Sequence, residues 1–157
     1  MRALRKTTIT YAALGNGIVD HPASVVVTDG SNNLKAKTTY AYDETAVTAT
    51  TGTPNHFSVT GSRGNVTTIT TYSTVTASLS RTLTYYDTGN VNQSQDVNGQ
   101  LTTYTYGACG NSFVTNVSMS LSLSKSAIWN CTGGVPTSST DENGKVSYFN
   151  FTSDPYF

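Results

Sequence analysis

The feature that most constrains this chain is a pattern of turns and β-formers that appears more than once. Between Arg81 and Tyr106 the sequence reads strand, turn, strand, turn, strand, with turns at Tyr86-Asp87-Thr88-Gly89 and Asp96-Val97-Asn98-Gly99. Asp and Asn accept hydrogen bonds from their own backbone two residues on, and glycine adopts positive φ without steric cost. Between the turns Thr, Val, Leu and Tyr suit a pleated, half-buried surface. Gly89, Asp96 and Gly99 return 45 positions later as Gly134, Asp141 and Gly144, and Tyr104 and Tyr106 return as Phe149 and Phe151. Aromatic residues two apart leave the same strand face. Thr38, Tyr40 and Tyr42 make a further copy, after Asp29-Gly30 and a slightly longer loop. The chain reads as a repeat protein.

The spacing Gly-x6-Asp-x2-Gly-x2-Thr-x-Tyr-x-Tyr, carried by Gly89, Asp96, Gly99, Thr102, Tyr104 and Tyr106, resembles the YD repeat of the RHS family. Tyr42-Asp43 and Tyr86-Asp87 supply the dipeptide for which such repeats are named. The resemblance runs from about residue 25 to the end, with copies near 25–43, 81–106 and 126–151. The last of these departs from it in Phe149 and Phe151. RHS proteins are large, typically extracellular bacterial or cell-surface proteins whose repeats coil into a long β-sheet that can close as a shell. The resemblance therefore implies a slice of such a wall. An aspartate-dependent self-cleavage belongs to the same family, but Asp154-Pro155 lacks its flanking glycine pattern, so that activity is not carried over.

Composition narrows the classes of partner. Nine basic and nine acidic side chains leave no formal net charge, and charged residues make up 11%. Phosphate backbones are bound by a concentrated basic surplus, so nucleic acid is not expected. No basic amphipathic helix or membrane-length apolar run is seen, and the basic start Met1–Lys6 leads into Thr7–Tyr11 without the apolar run of a signal peptide. At 157 residues a single β-repeat domain is expected. Its weakest part is a loop-rich stretch at 44–55, where a short strand through Ala46–Ala49 is the alternative to plain loop. A hairpin of 56–60 with 65–72 around Gly61-Ser62-Arg63-Gly64 is expected to follow it. Helical periodicity is absent.

Each chemical candidate has a plain structural reading beside it. Cys109 and Cys131 are the only cysteines. They are too few for a zinc site, with His21 and His56 far away in sequence, and they read as a disulfide in an oxidising compartment. Asp87, Asp96 and Asp141 could suggest paired glycosidase carboxylates, yet at repeat turns such acids hold their own backbone. Asp20 beside His21 has no serine-nucleophile motif. Tyr40/Tyr42, Tyr104/Tyr106 and Phe149/Phe151, with Trp129, could stack on sugar rings, or could pack the core and the joints between repeats. Sequons begin at Asn65, Asn92, Asn116, Asn130 and Asn150, and matter only in a cell that glycosylates them.

The expectation is an all-β antiparallel meander of YD-type hairpins without cofactor, metal or catalytic site. Its expected function is that of an extracellular structural segment of a shell, wall or self-assembling fibre. Open strand edges would meet further repeats or copies of the chain. A carbohydrate-binding adhesion module with exposed tyrosine ladders is the alternative.

Overall fold

In the computed structural model, which describes residues 4–151, the chain is all-β. Eleven strands form one sheet in sequence order, each antiparallel to the next. They are β1 (Arg5–Tyr11), β2 (Pro22–Asp29), β3 (Leu34–Tyr42), β4 (Val66–Tyr72), β5 (Ser78–Tyr85) and β6 (Val91–Gln95). The meander continues through β7 (Leu101–Tyr106), β8 (Val114–Ser118), β9 (Ser124–Asn130), β10 (Val135–Thr140) and β11 (Val146–Tyr148). The only helical pieces among the described residues are single 3₁₀ turns at Cys109–Asn111 and Ser120–Ser122.

A meander alternates its connections between two ends, and here the ends differ in kind. At one end the turns are short, and three of them are the same object. The Asp29 carboxylate accepts the amides of Ser31 and Asn33 (2.8 and 3.0 Å), while its carbonyl accepts that of Asn32 (3.0 Å). Asp96 holds Asn98, Gln100 and Gly99 in the same way, and Asp141 holds Asn143, Lys145 and Gly144. The residue three after the aspartate has φ of 65° at Asn32, 82° at Gly99 and 74° at Gly144. That left-handed region is open to glycine and tolerated by asparagine. The copy after Asp29 thus has no longer turn, contrary to the sequence reading. Its extra residues lie in β3, which has nine residues against six in β7.

At the other end the odd-numbered strands finish on aromatics: Tyr11, Tyr42, Tyr85 and Tyr106, with Trp129 one residue before the end of β9. Register shifts fall at or opposite each of them. Three of these side chains reach back to the first residue of the preceding strand. Tyr42 Oη donates to the Pro22 carbonyl (2.8 Å), Tyr85 Oη to that of Val66 (2.8 Å) and Trp129 Nε1 to that of Val114 (2.9 Å). In each case the ladder between the two strands has already stopped, at Ser24–Thr39, Thr68–Thr82 and Asn116–Ser126. A carbonyl beyond the end of a ladder needs another donor, and the aromatic supplies it while covering the splayed strands.

Pairing register and alternation give the sheet two unlike faces. Val25, Tyr40, Ile69, Leu83, Tyr104, Val117 and Trp129 lie on one. The other is rich in hydroxyls, with Thr10, Ser24, Thr39, Thr70 and Ser80 in one row across five strands. Hydroxyl contacts join Thr10 to Ser24 (2.7 Å) and Thr70 to Ser80 (2.8 Å) along that row. Among the described residues no apolar side chain is buried; only Thr67 and Ser138 are. Of the readings open for the aromatics, a fully buried core is therefore not seen among the described residues of this single layer. Residues 56–60, expected as half of a hairpin, form no strand; side chains meet this segment instead, with Arg63 Nη2 donating to the Val59 carbonyl (3.3 Å) and Asn16 Nδ2 to that of Thr60 (2.8 Å).

Candidate functional site

The end of the sheet with long connections concentrates the polar chemistry. Residues 43–65 run across the ends of the strands as a strap with three anchors. Asp43, itself at φ 55°, accepts the amides of Arg63, Gly64 and Asn65 at 2.9–3.0 Å, pinning the strap's return to β4. Glu44 Oε2 accepts the hydroxyls of Thr67 (2.9 Å) and Thr68 (2.6 Å). Thr48 makes a parallel bridge to Tyr86, with its amide on the Tyr85 carbonyl (2.8 Å) and its carbonyl on the Asp87 amide (2.9 Å). This bridge, the only strand-like element within 44–55, falls inside the short strand that the sequence allowed through Ala46–Ala49.

Asp87 is the centre of the strap's attachment. Its Oδ1 accepts the Thr50 hydroxyl (2.6 Å) and amide (3.1 Å), and Oδ2 stands 3.3 Å from His56 Nε2. The Thr50 hydroxyl bond is the main reason its carboxyl sits below the usual range, with burial opposing and His56 assisting. Arg63 Nη1 donates to the Asp87 carbonyl at 2.7 Å. The sequence grouped Asp87 with Asp96 and Asp141 as a turn acid. The turn does form, with Tyr86 N–H on Asn90 and Gly89 N–H on Tyr86, but the Asp87 side chain points to the strap instead of its own turn. Gly89 and Gly134 both have positive φ, at 86° and 67°.

Further along, Cys109 and Cys131 are joined as a disulfide between the β7–β8 and β9–β10 connections, with Cα atoms 5.1 Å apart. Beside it Phe113 and Trp129 stack at 4.5 Å. Asn111 ties this region to the strap through Thr51 O (2.9 Å) and Thr53 Oγ1 (2.8 Å), and Pro54 packs against Gly110.

Next to the strap, on the aromatic face, Tyr40, Tyr42, Tyr85, Val66, Pro22 and His21 line an open recess of about 520 Å³. His21 tilts against Tyr42 at 5.3 Å, and its Nδ1 lies 2.8 Å from Asp20 Oδ1, a contact that lowers the Asp20 carboxyl. Burial raises the phenols of Tyr42 and Tyr85, and also that of Tyr106, whose ring meets Tyr86 edge to face at 5.8 Å. Tyr104 is half-buried beside Val117, while Phe149 is exposed. The tyrosine pairs thus occupy separate places on one face. Tyr40 and Tyr42 share a recess; Tyr104 and Tyr106 do not join it.

No protein-family model matches this chain, and no curated protein matches it.

The described sequons differ in their surroundings. The Asn130 side chain accepts the amides of Thr132 and Gly133, and that of Asn92 donates to Thr48. Asn116 sits within β8 and accepts from Ser118 (3.0 Å), while Asn65 has its amide on Asp43. Asn150 lies in the last described residues, and Asp154-Pro155 lies outside them. Among the described residues no group of three His, Cys, Asp or Glu could hold a metal, and no helix is long and apolar enough to cross a membrane. Sequence reasoning passed over Tyr85, Glu44 and Thr50, and weighed His21 and Asp87 only as metal, catalytic or turn residues. The available signal was an aromatic closing each odd strand, visible only once strand ends are known.

Proposed function

We propose that this chain is a non-enzymatic structural segment, a length of extracellular β-wall that assembles with further repeats or copies of itself through strand edges. The observation that carries the proposal is an eleven-strand sheet with edges at β1 and β11 and no buried apolar side chain among the described residues. An ordinary domain buries its sheet against a second layer, and unpaired edges are templates for pairing. Here six of the carboxylates are engaged in holding the fold: Asp29, Asp96 and Asp141 hold turns, and Asp43, Glu44 and Asp87 hold the strap. The disulfide fits an oxidising compartment, and the repeated Asp turns fit the resemblance to RHS walls.

The test is negative-stain microscopy across a concentration series, with Thr7→Pro in β1 and Tyr148→Pro in β11 as edge blocks, since the amides of their neighbours at even positions of β1 and odd positions of β11 face the sheet. Filaments or ordered sheets that the prolines abolish support the reading. Particles that stay unassembled at every concentration contradict it. The recess at Tyr40 and Tyr42 favours one second reading, an adhesion module that stacks sugar rings there. Glycan binding lost in Tyr40→Ala would support it, and no binding across a glycan array would remove it.

A further inference from the structure

We infer that the aromatic face of the sheet is an interface between two copies of this chain, which pack as a two-layer sandwich. The inference concerns the face and does not depend on pairing at the strand edges. Three observations carry it. First, the face carries an apolar or aromatic side chain on β1 to β5 and β7 to β9, from Ile9 and Val25 through Ile69 and Leu83 to Val117. They stand among Thr38, Arg81, Ser94 and Lys125, yet none of these apolar side chains is buried. Ile9 and Leu79, on the same face, are 48% and 61% exposed. Monomeric proteins seldom leave a contiguous apolar patch of this extent to water.

Second, the area suits a copy of the same sheet. Eleven strands at a spacing of ~4.8 Å, with about six residues each at ~3.4 Å, give a face of roughly 1,000 Å². A standard stable interface needs about 800 Å² per partner. Third, the face is indented. Beside the tyrosine recess, a second hollow of about 320 Å³ is lined by Ile69, Arg81 and Leu83, and a third of about 320 Å³ by Val117, Lys125 and Ala127. Side chains from an opposing sheet interdigitate into such hollows about 10 Å from the first layer. Lys125 is met at 3.6 Å by Glu142, and the Arg81 guanidinium can lie over an opposing tyrosine ring while its stem covers apolar surface.

The hydroxyl face is the poorer candidate. Val26, Tyr72 and Leu101 stand apart from one another on it. Its other large apolar groups, Ile128, Val146 and Tyr148, cluster at the β9–β11 corner, and Thr, Ser, Gln and Lys lie between them.

Light scattering after gel filtration of the whole chain tests this, with the edge-blocking prolines in place so that filaments do not obscure the mass. The expected result is a particle of twice the single-chain 16.7 kDa. Ile69→Lys should return it to one chain with the β circular dichroism intact, and Thr70→Lys, the next residue on the opposite face, should leave it doubled. A single-chain mass for the unsubstituted face overturns the inference, as does a doubled mass that survives Ile69→Lys or is lost in Thr70→Lys. Should Ile69→Lys unfold the chain, the sole tryptophan serves instead, because Trp129 lies on this face. Its emission should shift to the red on dilution in step with the fall in mass; constant emission through that fall overturns the inference. If the prolines alone abolish the doubled particle, the edges carry the association and the face does not.

Discussion

The two ends of the sheet solve the same problem, reversing the chain, by opposite means. At the short-turn end each reversal is self-sufficient: Asp29, Asp96 and Asp141 each hold three amides within the next four residues, and nothing distant is required. At the other end the connections lean on one another. Asp87 holds Thr50, Asp43 holds the amides of 63–65, Asn111 holds Thr51, and Cys109 is bonded to Cys131. Short-range turns set register strand by strand, whereas the strap and disulfide couple neighbouring hairpins. A sheet that buries no apolar side chain among its described residues gains less from burial within one chain, so such cross-ties have a larger share in holding that chain together.

The largest effect should come from the disulfide. Cys109→Ser with Cys131→Ser should cost about 3 kcal/mol in the chain-entropy model, read from denaturant unfolding. Amide exchange should quicken around 107–113 and 131–134 while the Asp96 and Asp141 turns keep their protection. Asp87→Ala comes next, at about 1–3 kcal/mol, because the Thr50 amide and hydroxyl lose a partly buried acceptor. Limited proteolysis should then cut within 50–56. Equal cleavage of both proteins would mean that the strap is held elsewhere.

Gly99→Val and Gly144→Val should each cost about 1–2 kcal/mol, since both put a branched side chain at positive φ. Asn32→Gly, at the equivalent place, should move stability by only about half a kcal/mol; a large change would show that the Asp29 turn is not the same object. The smallest effect is in acid. Asp87 and Asp29 have depressed carboxyl values, from the Thr50 hydroxyl and the Asn33 side chain respectively. A depressed native value means that the unfolded chain binds protons first. Their contribution is therefore complete above the ordinary value near 3.8 and disappears as pH falls through the depressed one. Asp87→Asn should flatten the part of that acid transition seen by strap exchange.

Much of the meander was legible in the sequence because its signals are local. Leu34–Tyr42, Leu101–Tyr106 and Val135–Thr140 have the ends their turn residues imply. The turns at Asp96 and Asp141 follow from side chains that reach two to four residues. What sequence missed acts over distance. Asp87 resembles the other repeat acids in spacing, but Thr50 and His56 are 37 and 31 positions away. The tyrosines carry the ambiguity of any large aromatic. Tyr42 and Tyr85 cap carbonyls at ladder ends, which neither a core nor a sugar site would have led one to expect. The missing second layer could not be read from composition, because an amphipathic strand has the same alternation whatever covers its apolar face.

The most direct test of the structural role is hydrogen–deuterium exchange of the chain at low and high concentration. The account predicts that amides of Arg5–Tyr11 and Val146–Tyr148 gain protection as concentration rises, while those of the Asp29, Asp96 and Asp141 turns stay as they were. Exchange at both edges that is the same at every concentration would contradict it.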